Sequence, residues 1–129
     1  MSQYVHVDVP IESREELLAA LSACGLVHQV AGAEGLVLEG SVECAGDPVD
    51  VRVAPEAAET VQDWGFSYEN GRVMLVCADV DRPRLERQIV PRITAEIVRA
   101  RLTAAGHHTR TVVDADGRHR IVVGVEDES

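Results

Sequence analysis

The dipeptide Asn70-Gly71, set between Trp64–Glu69 and Arg72–Ala78, constrains the fold more than any other feature of the sequence. Both residues tolerate the positive φ that a two-residue type I′ turn demands at its central positions, so the flanking segments are predicted to pair as an antiparallel hairpin. The second arm is apolar on both faces, Val73, Leu75 and Cys77 alternating with Met74, Val76 and Ala78. A run of that kind belongs inside a sheet rather than at its edge.

The rest of the chain supplies partners for that hairpin. Tyr4 to Val9 alternates strictly, Val5, Val7 and Val9 against Tyr4, His6 and Asp8, which is the pattern of a half-buried strand. Pro10 ends it. Ser13 then opens a helix, with Glu16 placed three residues on to complete a capping box. Leu17, Leu18, Leu21 and Cys24 form its apolar stripe, and Gly25 stands where a left-handed C-terminal cap is wanted. Leu26–Val30 and Leu36–Leu38 read as two strands joined by a turn over Ala31–Gly35, and Val49, Val51 and Val53 as one face of another strand. Pro55–Gln62 fits a helical turn or a loop.

Asp81 is placed to cap a longer helix over Arg82–Ala105, closed by Gly106, with Leu85, Ile89, Ile93 and Ile97 as its stripe. Pro91 lies inside it and predicts a kink or a junction of two helices. Val98 and Leu102 fall on the opposite side, an apolar patch suited to a partner or to the chain's own C-terminal segment. Thr109–Val113 and His119–Val125 flank a turn at Asp114–Arg118, and Glu126–Ser129 is expected to fray. These elements predict an α+β fold, an antiparallel sheet with two amphipathic helices packed on one face in a ferredoxin-like arrangement. At 129 residues the chain is expected to form one domain with its core over residues 3–125.

Composition narrows the functional classes. No apolar run approaches the roughly 20 residues that span a bilayer, and no basic-then-apolar leader opens the chain, so a cytoplasmic location away from the membrane is expected. Cys24, Cys44 and Cys77, odd in number and widely spaced, read as small buried hydrophobes rather than a disulfide framework or a zinc site. The formal charge of −10 opposes non-specific nucleic-acid binding. Its distribution is uneven: residues 1–81 hold fifteen acids against three arginines, while residues 82–120 hold nine arginines against four acids.

No Walker loop, dinucleotide fingerprint, Cys-x-x-Cys or nucleophile elbow is present. Four weaker constellations remain. Trp64, Phe66 and Tyr68 line one face of a strand, either as a core plug or as the wall of a pocket or interface. Tyr4, His6 and Asp8 form a polar strand face, either solvated or able to supply an acid–base pair in a cleft. His107 and His108 point to opposite faces of a strand and cannot share one ion with each other in regular structure, so with His119 they predict no metal site. Arg84, Arg87, Arg92, Arg99 and Arg101 lie outside the apolar stripe of the second helix, as a solvated face, as intrachain ion-pair donors, or as a docking surface for an acidic partner. No cofactor is expected.

The layout resembles a small family first named as a conserved hypothetical chloroplast and cyanobacterial open reading frame, treated as a domain of unknown function. The matching pieces are Tyr4–Val9, Arg14–Gly25, Gly65-Phe66-Ser67 with Asn70-Gly71, Val73–Asp79 and Leu85–Gly106, across roughly residues 3–106. Pro91 and the region around residues 30–60 depart from the family's pattern. Val112–Val125, with Asp116-Gly117-Arg118, looks like a second small family often encoded beside the first, so the chain resembles a fusion of the two. Such families sit beside genes for AAA-type ATPases, which implies an accessory or adaptor role, and the resemblance carries over no catalytic residue.

Two functions are therefore expected. One is a non-catalytic accessory module that binds a protein partner or a second copy, with Arg92, Val98, Arg99 and Leu102 on its working helix. The other is a small ferredoxin-like enzyme or ligand-binding protein with a pocket between sheet and helices, near Tyr4, His6, Trp64, Phe66 and Tyr68.

Overall fold

The computed structural model describes residues 3–40 and 46–124; Cys44, the end of the last predicted strand and the expected frayed tail lie outside the described residues. In chain order the strands are β1 (Tyr4–Asp8), β2 (His28–Val30), β3 (Leu36–Val37), β4 (Pro48–Val49), β5 (Val51–Val53), β6 (Trp64–Glu69), β7 (Arg72–Ala78), β8 (His108–Val113) and β9 (His119–Gly124). The helices are α1 (Arg14–Ala23), a single turn α2 (Pro55–Ala58), a short α3 (Arg82–Arg84), a π-helical turn over Leu85–Ile89, and α4 (Val90–Ala104). The fold is α+β. Five strands make one antiparallel sheet in the order β1-β7-β6-β5-β2, while β3 pairs with β4 and β8 with β9 as separate ribbons.

The Asn70-Gly71 turn forms as its chemistry requires, with φ of 53° and 77° and Glu69 opposite Arg72. It places β7 between β1 and β6, where its two apolar faces are both covered. One face of the sheet contributes Val51, Val53, Trp64, Phe66, Val73, Leu75 and Cys77 to a cluster shared with Leu17, Ala20 and Leu21 of α1 and with Leu85, Ile89, Val90, Ile93 and Ile97. On the far face Val76 packs with Leu38 and Val49 beneath the β3–β4 ribbon. Burying these aliphatic side chains contributes about 1.5–3 kcal/mol each. A ferredoxin-like fold, with its β-α-β-β-α-β order, would bring the chain back into the sheet after the second long helix. Here β8 and β9 come after α4 and pair only with each other among the described strands.

Several local expectations change for physical reasons. Ser13 does cap α1, its hydroxyl accepting the Glu16 amide at 3.2 Å, and Gly25 closes it in a left-handed Schellman turn. Glu16 does not complete the capping box. Its carboxylate turns instead to Arg101, joining α1 to α4. The strands around Ala31–Gly35 do not pair with each other. β2 joins β5, and β3 joins β4. Val49 also leaves the face of Val51 and Val53, because the chain bends at Asp50, whose carboxylate takes the Tyr68 amide at 2.7 Å.

Asp81 supplies only its backbone carbonyl to the helix start, accepting from the Leu85 amide. Its buried carboxylate accepts the Val61 and Gln62 amides at 2.7 and 2.9 Å, tying the loop after α2 to the helix. Pro91 neither breaks nor sharply ends the second helix. Its missing N–H is accommodated by the wide turn just before it, in which Val90 bonds back to Leu85. A strict four-residue repeat also outruns an α-helix by about 40° per step. The wider turn takes up part of that drift, and Leu85, Ile89, Ile93 and Ile97 all stay buried.

Candidate functional site

The far face of the sheet carries the polar side chains. In register across it lie Tyr4, His6 and Asp8 of β1, Arg72, Met74 and Val76 of β7, Gly65, Ser67 and Glu69 of β6, and Arg52 of β5. Gly65 makes that face possible: a Cβ there would sit 1.9 Å from the Val51 carbonyl oxygen.

His6 is held between two carboxylates. Its Nδ1 lies 3.0 Å from Glu69 and its Nε2 3.2 Å from Asp47, which precedes β4. Ser67 donates to the same Glu69 oxygen at 2.6 Å. The Glu69 hydrogen bond, helped by Asp47 and opposed by partial burial, raises the His6 pKa above its ordinary value. Ser67 and His6 together lower that of Glu69. These groups border a cleft of about 470 Å³, walled by the Ala31–Gly35 loop, Leu36, Pro48, Val49 and Asp50.

Beside it lies a second polar knot. Asp63 is buried and accepts the Tyr4 hydroxyl at 2.5 Å, Arg52 Nε at 2.6 Å, and the Glu39 and Gly40 amides at 2.7 and 2.8 Å. Burial pushes its carboxyl pKa up, but these four donors outweigh that and hold it below the ordinary value. Asp63 therefore anchors one arm of the β3–β4 ribbon, and His6 anchors the other.

The residues singled out from the sequence do not gather in one place. Tyr4 and His6 lie on the far face. Trp64 and Phe66 have no exposed surface and meet edge to face in the helix-covered core, ring centroids 5.7 Å apart. Tyr68 packs against that core with Arg14 over its ring, and burial raises its pKa. Among the described residues Trp64 Nε1 and the Tyr68 hydroxyl are buried without a hydrogen-bond partner. The pairing of Trp64, Tyr68 and His6 around one pocket is thus replaced by two faces separated by the sheet.

Arg92 donates to the Cys24 carbonyl at 2.8 Å, and Arg99 pairs with Glu96. Val98 is exposed beside Pro10 and Ile11, and Leu102 is half-buried. Among the described residues, six of the nine C-terminal arginines pair with an acid of the chain, at Arg82, Arg84, Arg99, Arg101, Arg118 and Arg120. Most of the basic surface expected for an acidic partner is neutralised internally.

No residue of β8 or β9 is buried, so the C-terminal ribbon, unlike α1, α4, β6 and β7, adds nothing to the buried core. Thr111, Val113 and His119 border α4 at Arg92, Ala95 and Glu96, and Arg110, Val112, Arg120 and Val122 share the opposite face of the ribbon; Val113 and Val123 are exposed, whereas Val112 and Val122 are half-buried. The partners of His6 and Tyr4 had no sequence signal, since Asp47, Glu69 and Asp63 come from 41 to 63 residues away and look like any other surface acid. Among the described residues no cluster of three His, Cys, Asp or Glu is arranged to hold a metal, and no helix is long and apolar enough to cross a membrane. Compared with known proteins, the chain matches no family model, no curated protein and no solved structure.

Proposed function

We propose that this protein is a non-catalytic accessory or adaptor module that holds a protein partner through its C-terminal ribbon. The observation that carries the reading is the ribbon itself. Its twelve residues contain none that is buried, and the two strands pair only with each other among the described strands, leaving each with an open edge. An open edge is completed by an extended segment of another chain, which takes its hydrogen bonds from the edge and its specificity from alternate side chains. Val112 and Val122 share a ribbon face with Arg110 and with Arg120, the latter paired with Asp114, and offer such a segment an apolar centre beside a basic side chain.

The polar groups of the body support the same reading. Both ring nitrogens of His6 are engaged, the Ser67 hydroxyl is committed to Glu69, Asp63 accepts four internal donors, and Asp81 is buried with a backbone amide on each oxygen. A general base needs an open lone pair facing its substrate. The partner is a protein and not a nucleic acid, in keeping with the charge of −10, and the module works in the cytoplasm. An AAA-type ATPase, the class the family resemblance implies, is the first partner to test.

The experiment is site-specific photocrosslinking in the native host, with the probe at position 122 and, as control, at the exposed Glu56. The expected result is one discrete adduct from position 122, absent from position 56 and lost when Val112→Glu is added. Equal adducts from both positions, or an adduct indifferent to Val112→Glu, would overturn the reading.

A further inference from the structure

Besides its apolar seat of Leu38 and Val49 on Val76, the β3–β4 ribbon is tied to the sheet by two side-chain anchors of different chemistry. At Glu39 and Gly40 the holder is Asp63, a buried carboxylate with four donors. At Asp47 the holder is His6, a half-exposed imidazole whose other nitrogen faces Glu69. A ring flanked by two carboxylates makes both hydrogen bonds only when both nitrogens carry protons. A neutral ring keeps one donor and turns a lone pair toward the other carboxylate.

We propose that His6 is a pH-operated clasp: its imidazolium ties the Gly46–Val49 arm to β6, and loss of its proton frees that arm and opens the cleft it borders. The geometry also says which bond is lost. Glu69 is the nearer partner at 3.0 Å and is itself fixed by Ser67, so the remaining N–H stays with Glu69. Asp47 is farther, at 3.2 Å, and belongs to the arm that can move. Among the described residues the charged groups around the ring are few. Glu69 faces it from β6 and Asp47 from the arm; Asp50 lines the cleft but is engaged by the Tyr68 amide; Asp8 and Arg72 pair with each other one row away. Tyr4, its neighbour on β1, donates to Asp63. Arg72 is committed to Asp8 and Arg52 to Asp63, so neither arginine of this face holds Asp47 in place of the imidazolium.

The sign comes from the raised His6 pKa. The clasp is fully closed below the ordinary histidine value of about 6.5 and opens as pH rises through the higher folded value. Each unit of separation between those values raises the opening equilibrium about tenfold across the transition. The Asp63 anchor does not titrate in that range, since its carboxyl is held below its ordinary 3.8.

Amide hydrogen exchange reads the two anchors separately. The Leu38 amide bonds to the Asp47 carbonyl at 2.8 Å and reports the His6 arm, whereas the Glu39 and Gly40 amides report Asp63. After correction for intrinsic exchange, Leu38 protection is expected to fall as pH rises from 6 to 9, with Glu39 and Gly40 unchanged. In His6→Gln, Leu38 protection is expected to be low and flat with pH. The His6 ring proton shifts, followed in the same samples, place its titration and keep the test decisive should the variant fold poorly. A flat Leu38 profile in the natural protein, a fall shared equally by Glu39 and Gly40, or the same fall in His6→Gln would overturn the proposal.

Discussion

Replacing Asp63 by alanine removes a buried acceptor at which Tyr4, Arg52 and the Glu39 and Gly40 amides converge. The four donors do not lose equally. Glu39 is exposed and Gly40 half-exposed, so their amides regain water at modest cost. Arg52 is the main loser: its side chain is only 14% exposed, and it retains Gln29 at 3.0 Å and a longer contact to the exposed Glu39 at 3.4 Å. Removing one partner of a buried charge pair costs about 3–5 kcal/mol, and one charge-assisted hydrogen bond about 1.5–3 kcal/mol. With two donors rehydrated, a loss of about 3–4 kcal/mol is expected.

For a chain of this length that loss lowers Tm by roughly 10–20 °C. Urea unfolding followed by fluorescence of the single tryptophan, Trp64, measures it, because that ring is fully buried next to the substituted position. Pairing Asp63→Ala with Arg52→Ala in a double-mutant cycle should recover a coupling of about 1.5–3 kcal/mol. The depressed carboxyl sets the pH test: its contribution is present above the unfolded value near 3.8 and is lost as pH falls through the lower folded value. The gap between natural protein and variant should therefore narrow in acid. A loss under about 1 kcal/mol at pH 7 with an unchanged m-value, or a gap that widens in acid, would refute the anchor.

Two further outcomes are expected. Gly65→Ala drives a Cβ to 1.9 Å from the Val51 carbonyl oxygen, a clash with backbone that no rotamer change relieves, and thermal melts should show a loss of about 2–3 kcal/mol. Cys77, buried on β7, has its thiol pKa pushed up to about 12 by burial first and by Asp81 second. It should resist Ellman's reagent at pH 8 in the folded protein and react at once in denaturant, and labelling at equal rates in both states would contradict that environment.

What was legible in the sequence was local chemistry. Asn70-Gly71 dictated its own turn, Ser13 and Gly25 bounded α1, and the alternation of Tyr4–Val9 and Arg72–Ala78 marked two strands. What was not legible required knowing a distant partner. Glu16 met the spacing of a capping box but faces an arginine 85 residues away, whose charge competes better than a backbone amide. Val49, Val51 and Val53 share one alternation, yet the Asp50 side chain captures the Tyr68 amide and turns Val49 to the other face. The site divided in the same way. The polarity of Tyr4 and His6 was visible, but their acids were three among the fifteen of residues 1–81. The three aromatics read equally as plug or wall because alternation names a face and not what covers it.

The π turn over Leu85–Ile89 links the core to the proposed working surface. One extra residue in a turn shifts the phase of everything after it by about 100°. In this phase Ile93 and Ile97 face the sheet, while Arg92, Ala95 and Glu96 border β8 and β9. Were residues 82–104 uniformly α-helical, burying Leu85 and Ile89 would turn α4 about its axis and carry the ribbon's seat round with it. Pro91 disfavours that alternative by withholding the N–H that the tighter ladder would use. The departure that looked like a flaw in the second helix is then what lets one helix serve two layers, holding the apolar core on one side and presenting the ribbon on the other.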